Sequence, residues 1–207
     1  MWRYERPQKG RYRQFYQAGV EILGYEEGLA ELEMISLICS INKQLEIQNS
    51  VIKINHLGNY EYKKLFCKEL VSYLKPFSSK LDKKDLERLD RNPLRILDSK
   101  NSETQNILKE APKISDHLPK ESLDLLDLIK DTFSNDCNIE IDHTLVRGLD
   151  YYTGFVFEAI SSELGAQDAY LGGGRYDDLC SQLGGKNLPA IGMAIGIERL
   201  ANIANTN

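Results

Sequence analysis

No apolar stretch in this 207-residue sequence approaches the roughly 18 residues that a membrane-spanning helix requires. The first residues, MWRYER, also lack the apolar segment of a secretory signal. We therefore expect no membrane association and a cytoplasmic location. With 42% hydrophobic and 28% charged residues, the composition is that of a folded globular protein, one domain or one domain with an insertion.

Cysteine and histidine are sparse and scattered. The four cysteines contain no CxxC pair, and the three histidines form no HExxH or similar cluster. This spacing excludes a zinc knuckle and a compact disulfide framework. We therefore expect reduced thiols and no metal site built by the protein. The positions are Cys39, Cys67, Cys137, Cys180, His56, His117 and His143.

The usual nucleotide-binding loops are missing as well. No GxGxxG sequence follows a predicted strand, and the GGKN sequence at 184–187 lacks the Ser/Thr and the upstream glycine of a Walker loop. If the protein binds a nucleotide, arginines must therefore hold most of its phosphates, because a guanidinium forms bidentate bonds to phosphate and keeps its charge.

Positive charge is concentrated at the amino terminus of an otherwise acidic chain. The formal net charge is −5, which excludes a generally basic nucleic-acid binder, yet residues 1–14 carry five basic side chains against one acidic side chain. This region predicts a hairpin, with a short strand at 2–6, a turn at 7–10 and an alternating strand at 11–23. One face of the second strand is polar, which is unsuited to packing, and the other should face the core.

The remaining chain predicts an alternation of β-rich and helical parts. We expect a helix at about 27–44, a strand near 47–54, and amphipathic helices at 60–75, 83–90, 102–110 and 120–133. Strands should follow at 139–141 and 152–161, then a tight turn at Gly172–Gly174 and a buried strand that leads into a last helix. This pattern predicts a first β-rich part at 1–55, a helical insertion at 56–135 and a second β-rich part at 136–207.

Four sequence motifs resemble those of the class II histidyl-tRNA synthetases and occur in that family's order. Residues 3–21, RYERPQKGRYRQFYQAGVE, resemble motif 2, and residues 192–200, GMAIGIERL, resemble motif 3. Residues 145–158, LVRGLDYYTGFVFE, and 172–179, GGGRYDDL, are similar to the two histidine-specific motifs. Together the motifs span nearly the whole chain.

The resemblance implies an α+β fold, the class II aminoacyl-tRNA synthetase catalytic fold, with an antiparallel sheet flanked by helices and a helical insertion. It implies activation of L-histidine by ATP with Mg²⁺, then transfer of histidine to tRNA(His), by an enzyme that is a homodimer at full length. Motif 1 and an anticodon-binding domain have no counterpart here, so we expect a catalytic domain truncated at both ends that folds weakly alone.

The resemblance also assigns five arginines to ATP and catalysis. Arg3 and Arg147 would be catalytic and would hold the α-phosphate, and Arg147 would also meet the substrate carboxylate. Arg11 would lie toward the β- and γ-phosphates, Arg13 would join the ATP site, and Arg199 would hold the far phosphate. Arg3, Arg147 and Arg199 should therefore share one cleft.

The histidine pocket would be lined by Gln17, Glu21, Arg147, Tyr151 and Tyr152. Glu21 would accept an imidazole N–H, and one of the two tyrosines would complete the recognition. Each of these residues also has an ordinary structural interpretation when taken singly, such as a strand's aromatic pair.

Two arginines of these motifs have acidic neighbours in the sequence. Arg175 is expected to pair with Asp177 or Asp178, and Arg199 could pair with Glu198.

Two other functions stay open. The synthetase-like regulatory subunit of ATP phosphoribosyltransferase is one alternative, although it usually loses the catalytic arginines that are present here. An inactive truncated product is the other alternative.

Overall fold

A computed structural model of the protein describes residues 1–4, 12–165 and 168–204. This part of the chain forms one six-stranded sheet with helices packed against it. The strands are β1 (Gln17–Leu23), β2 (Ser50–His56), β3 (Asn138–Ile141), β4 (Phe155–Ser161), β5 (Ala169–Arg175) and β6 (Ala190–Gly196). The helices are α1 (Leu29–Gln44), α2 (Tyr60–Leu74), α3 (Lys83–Arg91), α4 (Ser102–Leu108), α5 (Lys120–Thr132), α6 (Leu179–Gln182) and α7 (Ile197–Ala201).

The strand order across the sheet is β1-β6-β5-β4-β2-β3. All neighbouring strands are antiparallel except β2 and β3, which run parallel. The predicted α+β architecture with a largely antiparallel sheet is confirmed. None of the described helices is long and apolar enough to cross a membrane.

The alternating strand predicted at 11–23 is shorter in the structure, where β1 covers only Gln17–Leu23. Residues 12–16 pair with residues 1–4 instead of joining the sheet, through bonds from Arg3 N to Arg13 O (2.8 Å) and from Phe15 N to Met1 O (3.1 Å). Only Val20 and Ile22 therefore pack against the core as predicted. Residues 5–11, which include the predicted turn and Arg11, lie outside the described residues.

The main core fills the space between one face of the sheet and helices α1 and α5. Apolar side chains at alternate strand positions supply the sheet's half, because successive side chains point to opposite faces. The buried members of this core include Met34, Ile35, Ile38, Ile52, Ile54, Leu126, Ile129, Phe155, Phe157, Leu171, Ile191, Met193 and Ile195.

Helices α2 to α4 form a second cluster beside the sheet, around Phe66, Leu70, Leu74, Ile96 and Ile114. The side chain of Asn59 begins α2 by accepting a hydrogen bond from Tyr62 N (3.0 Å), and Asp82 begins α3 in the same way. Helix α5 differs from them because its apolar face belongs to the main core. The boundaries of the insertion at 56–135 stay a prediction.

The expectation of four reduced thiols is wrong for two of them. Cys39 on α1 and Cys137 just before β3 form a disulfide, with their Cα atoms 5.9 Å apart and 98 positions between them in sequence. The sequence spacing gave no sign of this pairing, because it arises only where α1 packs beside the start of β3. Cys67 and Cys180 are free.

Candidate active site

One face of the central strands is almost bare of side chains. Residues that pair across an antiparallel ladder point to the same face, and five such positions on β1, β5 and β6 are glycine, with an alanine beside them. The polar side chains of Gln17, Glu21 and Glu158 border this bare face of the sheet. The small residues are Gly19, Gly172, Gly174, Gly192, Gly196 and Ala194.

The tight turn predicted at Gly172–Gly174 is wrong, because all three glycines lie within β5. A Cβ on Gly172 would sit about 2.5–2.7 Å from the guanidinium of Arg147, and one on Gly192 would collide with the carboxylate of Glu21. A Cβ on Gly174 would meet Phe155 O at 2.8 Å and the Val156 side chain at 2.9 Å, as well as Tyr152 at 3.0 Å. Gly172 and Gly192 therefore leave room for predicted site residues, and close approach of another group is one reason for glycine inside a strand.

A cleft of about 170 Å³ at one end of the bare face brings Arg3, Arg147 and Arg199 together, with Gln17 beside them. Arg3 Nε donates to Tyr12 O (2.9 Å), and its guanidinium lies over the Phe15 ring, 4.5 Å from the centroid. These contacts orient the guanidinium toward a shared space.

The other two arginines of the cleft are also held by neighbours. Arg147 Nη1 donates to Glu158 Oε1 (2.6 Å), and Arg199 Nη1 donates to Ala169 O. Within the described part of the chain, Arg147 Nε is buried without a hydrogen-bond partner. A buried unpaired donor costs about 1–3 kcal/mol, more when it is charged, so the position of this side chain is not explained by its own hydrogen bonds alone.

Of the two remaining predicted ATP ligands, only Arg13 is among the described residues, and it is not part of this cleft. Arg13 is exposed and does not line it, and Arg11 lies outside the described residues. The predicted pairing of Arg199 with Glu198 is replaced by another contact, because Glu198 accepts a hydrogen bond from Tyr16 N (2.9 Å). That bond fixes the start of β1 against the start of α7.

A second cluster lies near the other end of β1, around Glu21. Tyr151 and Tyr152 stack with ring centroids 4.7 Å apart, and Tyr176 meets Tyr151 edge-on at 5.9 Å. The hydroxyl of Tyr176 donates to Glu21 Oε2. Sequence reasoning missed Tyr176, although it follows the glycine strand inside the motif at 172–179.

Tyr151 and Tyr176 are neutral hydrogen-bonding groups at physiological pH. Burial and the neighbouring Tyr152 raise the pKa of Tyr151 to about 12. Burial and the hydrogen bond to Glu21 raise the pKa of Tyr176. Lys63 on α2 donates to Tyr152 O (2.7 Å). This bond connects the tyrosines to the helical layer, the layer formed by helices α2 to α4.

The arginine cleft and the tyrosine cluster belong to one surface. Gln17 lines the cleft, and Glu21 stands four residues further along the same strand on the same face, about 13 Å away at the usual rise per residue. This arrangement suits one ligand pair with phosphates at one end and a polar ring at the other. No cluster of three or more His, Cys, Asp or Glu side chains that could hold a metal occurs among residues 1–4, 12–165 and 168–204.

A family model described as Histidyl-tRNA synthetase matches residues 1–200. The histidine–tRNA ligase of Francisella philomiragia is 48% identical over 202 residues, covering 97% of this chain and 48% of that protein. The histidine–tRNA ligase of a Synechocystis strain is 48% identical over 201 residues, covering 97% and 45%. The chain thus spans about half the length of the curated relatives it matches.

Solved structures agree with this assignment. The apo histidyl-tRNA synthetase of S. aureus aligns with a TM-score of 0.72 at 31% identity, covering 97% of this chain and 48% of that one. An ATP phosphoribosyltransferase regulatory subunit/histidyl-tRNA synthetase from Bacillus halodurans shares the fold at 24% identity, with a TM-score of 0.60 and coverage of 97% and 56%. The sheet is therefore that of the synthetase catalytic fold, and the chain belongs to the histidyl-tRNA synthetase family.

Proposed function

We propose that this chain carries the catalytic site of a histidine–tRNA ligase, which activates L-histidine with ATP and transfers it to tRNA(His). The observation that carries the proposal is the convergence of Arg3, Arg147 and Arg199 on one cleft, on the same sheet face as Glu21. Family membership supports the same activity.

Adenylate formation at this site needs orientation and charge stabilisation more than acid–base catalysis. The carboxylate of histidine is already an anionic nucleophile at neutral pH, so the site must hold it in line with the α-phosphorus. Arg3 and Arg147 would bind the α-phosphate oxygens, where charge develops, and Arg199 would hold the far phosphate. Mg²⁺ would enter with the ATP phosphates and offset their charge.

Selection of histidine would depend on Glu21 and the tyrosines around it. Tyr176 already donates to Glu21 Oε2, which leaves Oε1 to accept an imidazole N–H. An amino acid without that N–H would leave the carboxylate unpaired, which such sites reject strongly. Tyr151 and Tyr152 would enclose the ring, and Gln17 would lie between the ring and the phosphates.

We expect Glu21→Gln to raise the KM for histidine in ATP–pyrophosphate exchange by about 10–100-fold, with a much smaller change in the KM for ATP, because a charged acceptor is lost at the ring end only. The exposed Glu26→Gln is the matched control and should change neither constant. Equal effects of the two substitutions would contradict the assignment. Histidine binding without any exchange in the unaltered chain would instead favour the regulatory-subunit function.

A basic basin supports tRNA as the second substrate. This space, about 670 Å³, lies between the helical layer and the sheet and shares Glu158, Ala169 and Arg199 with the arginine cleft. Six basic side chains line it against four acidic ones, so it can receive a phosphate backbone leading to the cleft. The basic residues are Lys84, Arg88, Arg91, Arg95, Lys100 and Arg199.

Replacing Arg91 and Arg95 together by alanine should weaken tRNA binding and reduce its dependence on salt. If both contact phosphates, the slope of log K against log[salt] should fall in magnitude by about 1.4–1.8. Titration of labelled tRNA between about 50 and 200 mM salt measures this slope. Lys43→Ala, on the exposed side of α1, is the control and should leave the slope unchanged. An unchanged slope in the double variant would show that tRNA does not bind in the basin.

That the full-length enzyme is a homodimer stays a prediction.

A further inference from the structure

Arg175 is the largest fully buried side chain of the described residues, with 1% of its surface exposed. It ends β5, and its partner Glu31 on α1 is completely buried. A buried ion pair is seldom more stable than well-packed apolar residues of the same volume, so stability alone is a weak explanation for it. Its contacts suggest what it does instead.

The guanidinium of Arg175 joins three separate segments. Its Nε donates to Glu31 Oε1 (2.6 Å), and its Nη1 donates to Asp177 Oδ1 (2.9 Å) and to Tyr25 O (3.1 Å). Glu31 Oε2 in turn accepts from Gly28 N (2.6 Å) at the start of α1. The prediction that Arg175 pairs with Asp177 is confirmed, and Glu31 is a second, unpredicted partner. Burial alone would lower the pKa of Arg175, but the bond to Glu31 raises it.

Asp177 also contacts the two segments that lie beside Tyr176. Its Oδ1 also accepts from Ala190 N (2.9 Å), and its own N–H donates to Thr153 Oγ1 (3.1 Å). Thr153 N donates to Arg175 O (2.7 Å), and Tyr176 N donates to Ala190 O (2.8 Å). The backbone on both sides of Tyr176 is therefore held by hydrogen bonds, and one of them, from Ala190 N, ends on the same Asp177 oxygen that Arg175 contacts.

We infer that Arg175 is a positioning residue for the histidine pocket. Through Asp177 its guanidinium holds the segment of Tyr176 where the tyrosine hydroxyl meets Glu21, and through Glu31 it anchors that segment to the start of α1. This inference deepens the proposed function and rests on it for the identity of the ligand, but the geometry that it assigns to Tyr176 exists without ligand.

Lysine cannot replace this arginine. A lysine ammonium carries charge at one nitrogen, whereas Arg175 reaches Glu31 from Nε and Asp177 from Nη1 with a planar fork. Arg175→Lys therefore keeps the charge and removes the geometry. Asp177→Asn is the milder companion variant, because it keeps the side-chain shape and weakens one arm of the fork.

The first measurement tests the geometry without any substrate. The drop in Tm caused by Tyr176→Phe is measured in the presence and in the absence of Glu21→Gln, which gives the coupling between the two side chains. We expect this coupling to be clear in the parent chain and to disappear in the Arg175→Lys and Asp177→Asn backgrounds. Coupling that persists in both backgrounds would overturn the inference. This result holds whether or not the chain catalyses exchange.

The second measurement separates positioning from general destabilisation. Arg175→Lys and Asp177→Asn should raise the KM for histidine in pyrophosphate exchange by about tenfold or more and change the KM for ATP little. Asp85→Asn is the matched control, because Asp85 is equally buried in the helical layer and accepts from Arg88, Ser99 and Thr104. The control should lower Tm and leave the KM for histidine unchanged; an equal rise in KM would contradict the inference. Absence of exchange in the parent chain would count against the proposed function alone.

Discussion

Replacing Arg147 by alanine is expected to slow histidine-dependent adenylate formation by about 10²–10³-fold, while the affinity for ATP falls by less than about tenfold. The difference is expected because, in the proposed mechanism, Arg147 would face the position where charge develops at phosphorus, whereas ATP in its ground state would also be held by Arg3 and Arg199, which line the same cleft. Removal of a preorganised donor from a partly buried site affects the transition state most. Pyrophosphate exchange measures the rate, and equilibrium titration with ATP measures the affinity.

Three control variants show which feature of Arg147 is responsible. Arg147→Lys keeps the charge and should recover only part of the rate, because the single ammonium cannot span two oxygens. Glu158→Gln breaks the 2.6 Å ion pair but leaves the guanidinium in place, so its effect should be much smaller than that of Arg147→Ala. The exposed Lys43→Ala should have no effect. Equal losses of rate and ATP affinity in Arg147→Ala would contradict the catalytic role.

The sequence predicted the parts of the fold that depend on local patterns. The ends of α2, α3 and α5 agree with their predicted bounds within one residue, because capping residues such as Asn59 and Asp82 mark helix starts directly. The buried strand at 190–196 and the helix after it were also predicted, since apolar runs bounded by proline or glycine are local signals. The prediction that distant arginines converge on one cleft came from the resemblance of the motifs and not from a local pattern.

Features that depend on a neighbour from elsewhere in the chain could not be predicted. Glycine at 172–174 suggests a turn when it is considered alone, and only the guanidinium of Arg147 above Gly172 explains it as part of a strand. The sequence does not distinguish Glu31 from other acidic residues on a helix, because its partner Arg175 lies 144 positions away. The amphipathic pattern of α5 likewise shows an apolar face but not which core it joins.

Loss of the Cys39–Cys137 bond should give a large decrease in stability. Loop-closure entropy for two cysteines 98 positions apart amounts to about 4–5 kcal/mol of unfolding free energy, since the crosslink restricts the unfolded chain. For a chain of this length, loss of the bond should lower Tm by roughly 10 °C or more. Thermal unfolding with and without a phosphine reductant measures the shift, and mass spectrometry of the linked peptides identifies the bond.

Serine variants distinguish the effect of the crosslink from an effect of packing. Cys39→Ser and Cys137→Ser should each lower Tm under oxidising conditions and remove the response to reductant, whereas Cys67→Ser with Cys180→Ser should leave that response unchanged, because those thiols are free. If Cys39→Ser lowered Tm equally with and without reductant while the parent chain showed no response, the buried position of Cys39 and not the bond would be the source of stability.

The bond also affects the segment that carries Arg147. With the bond formed, α1 is fixed to the start of β3, and the chain continues from β3 toward Arg147. A thiol-reducing environment would therefore loosen the edge of the sheet from which the segment carrying Arg147 extends.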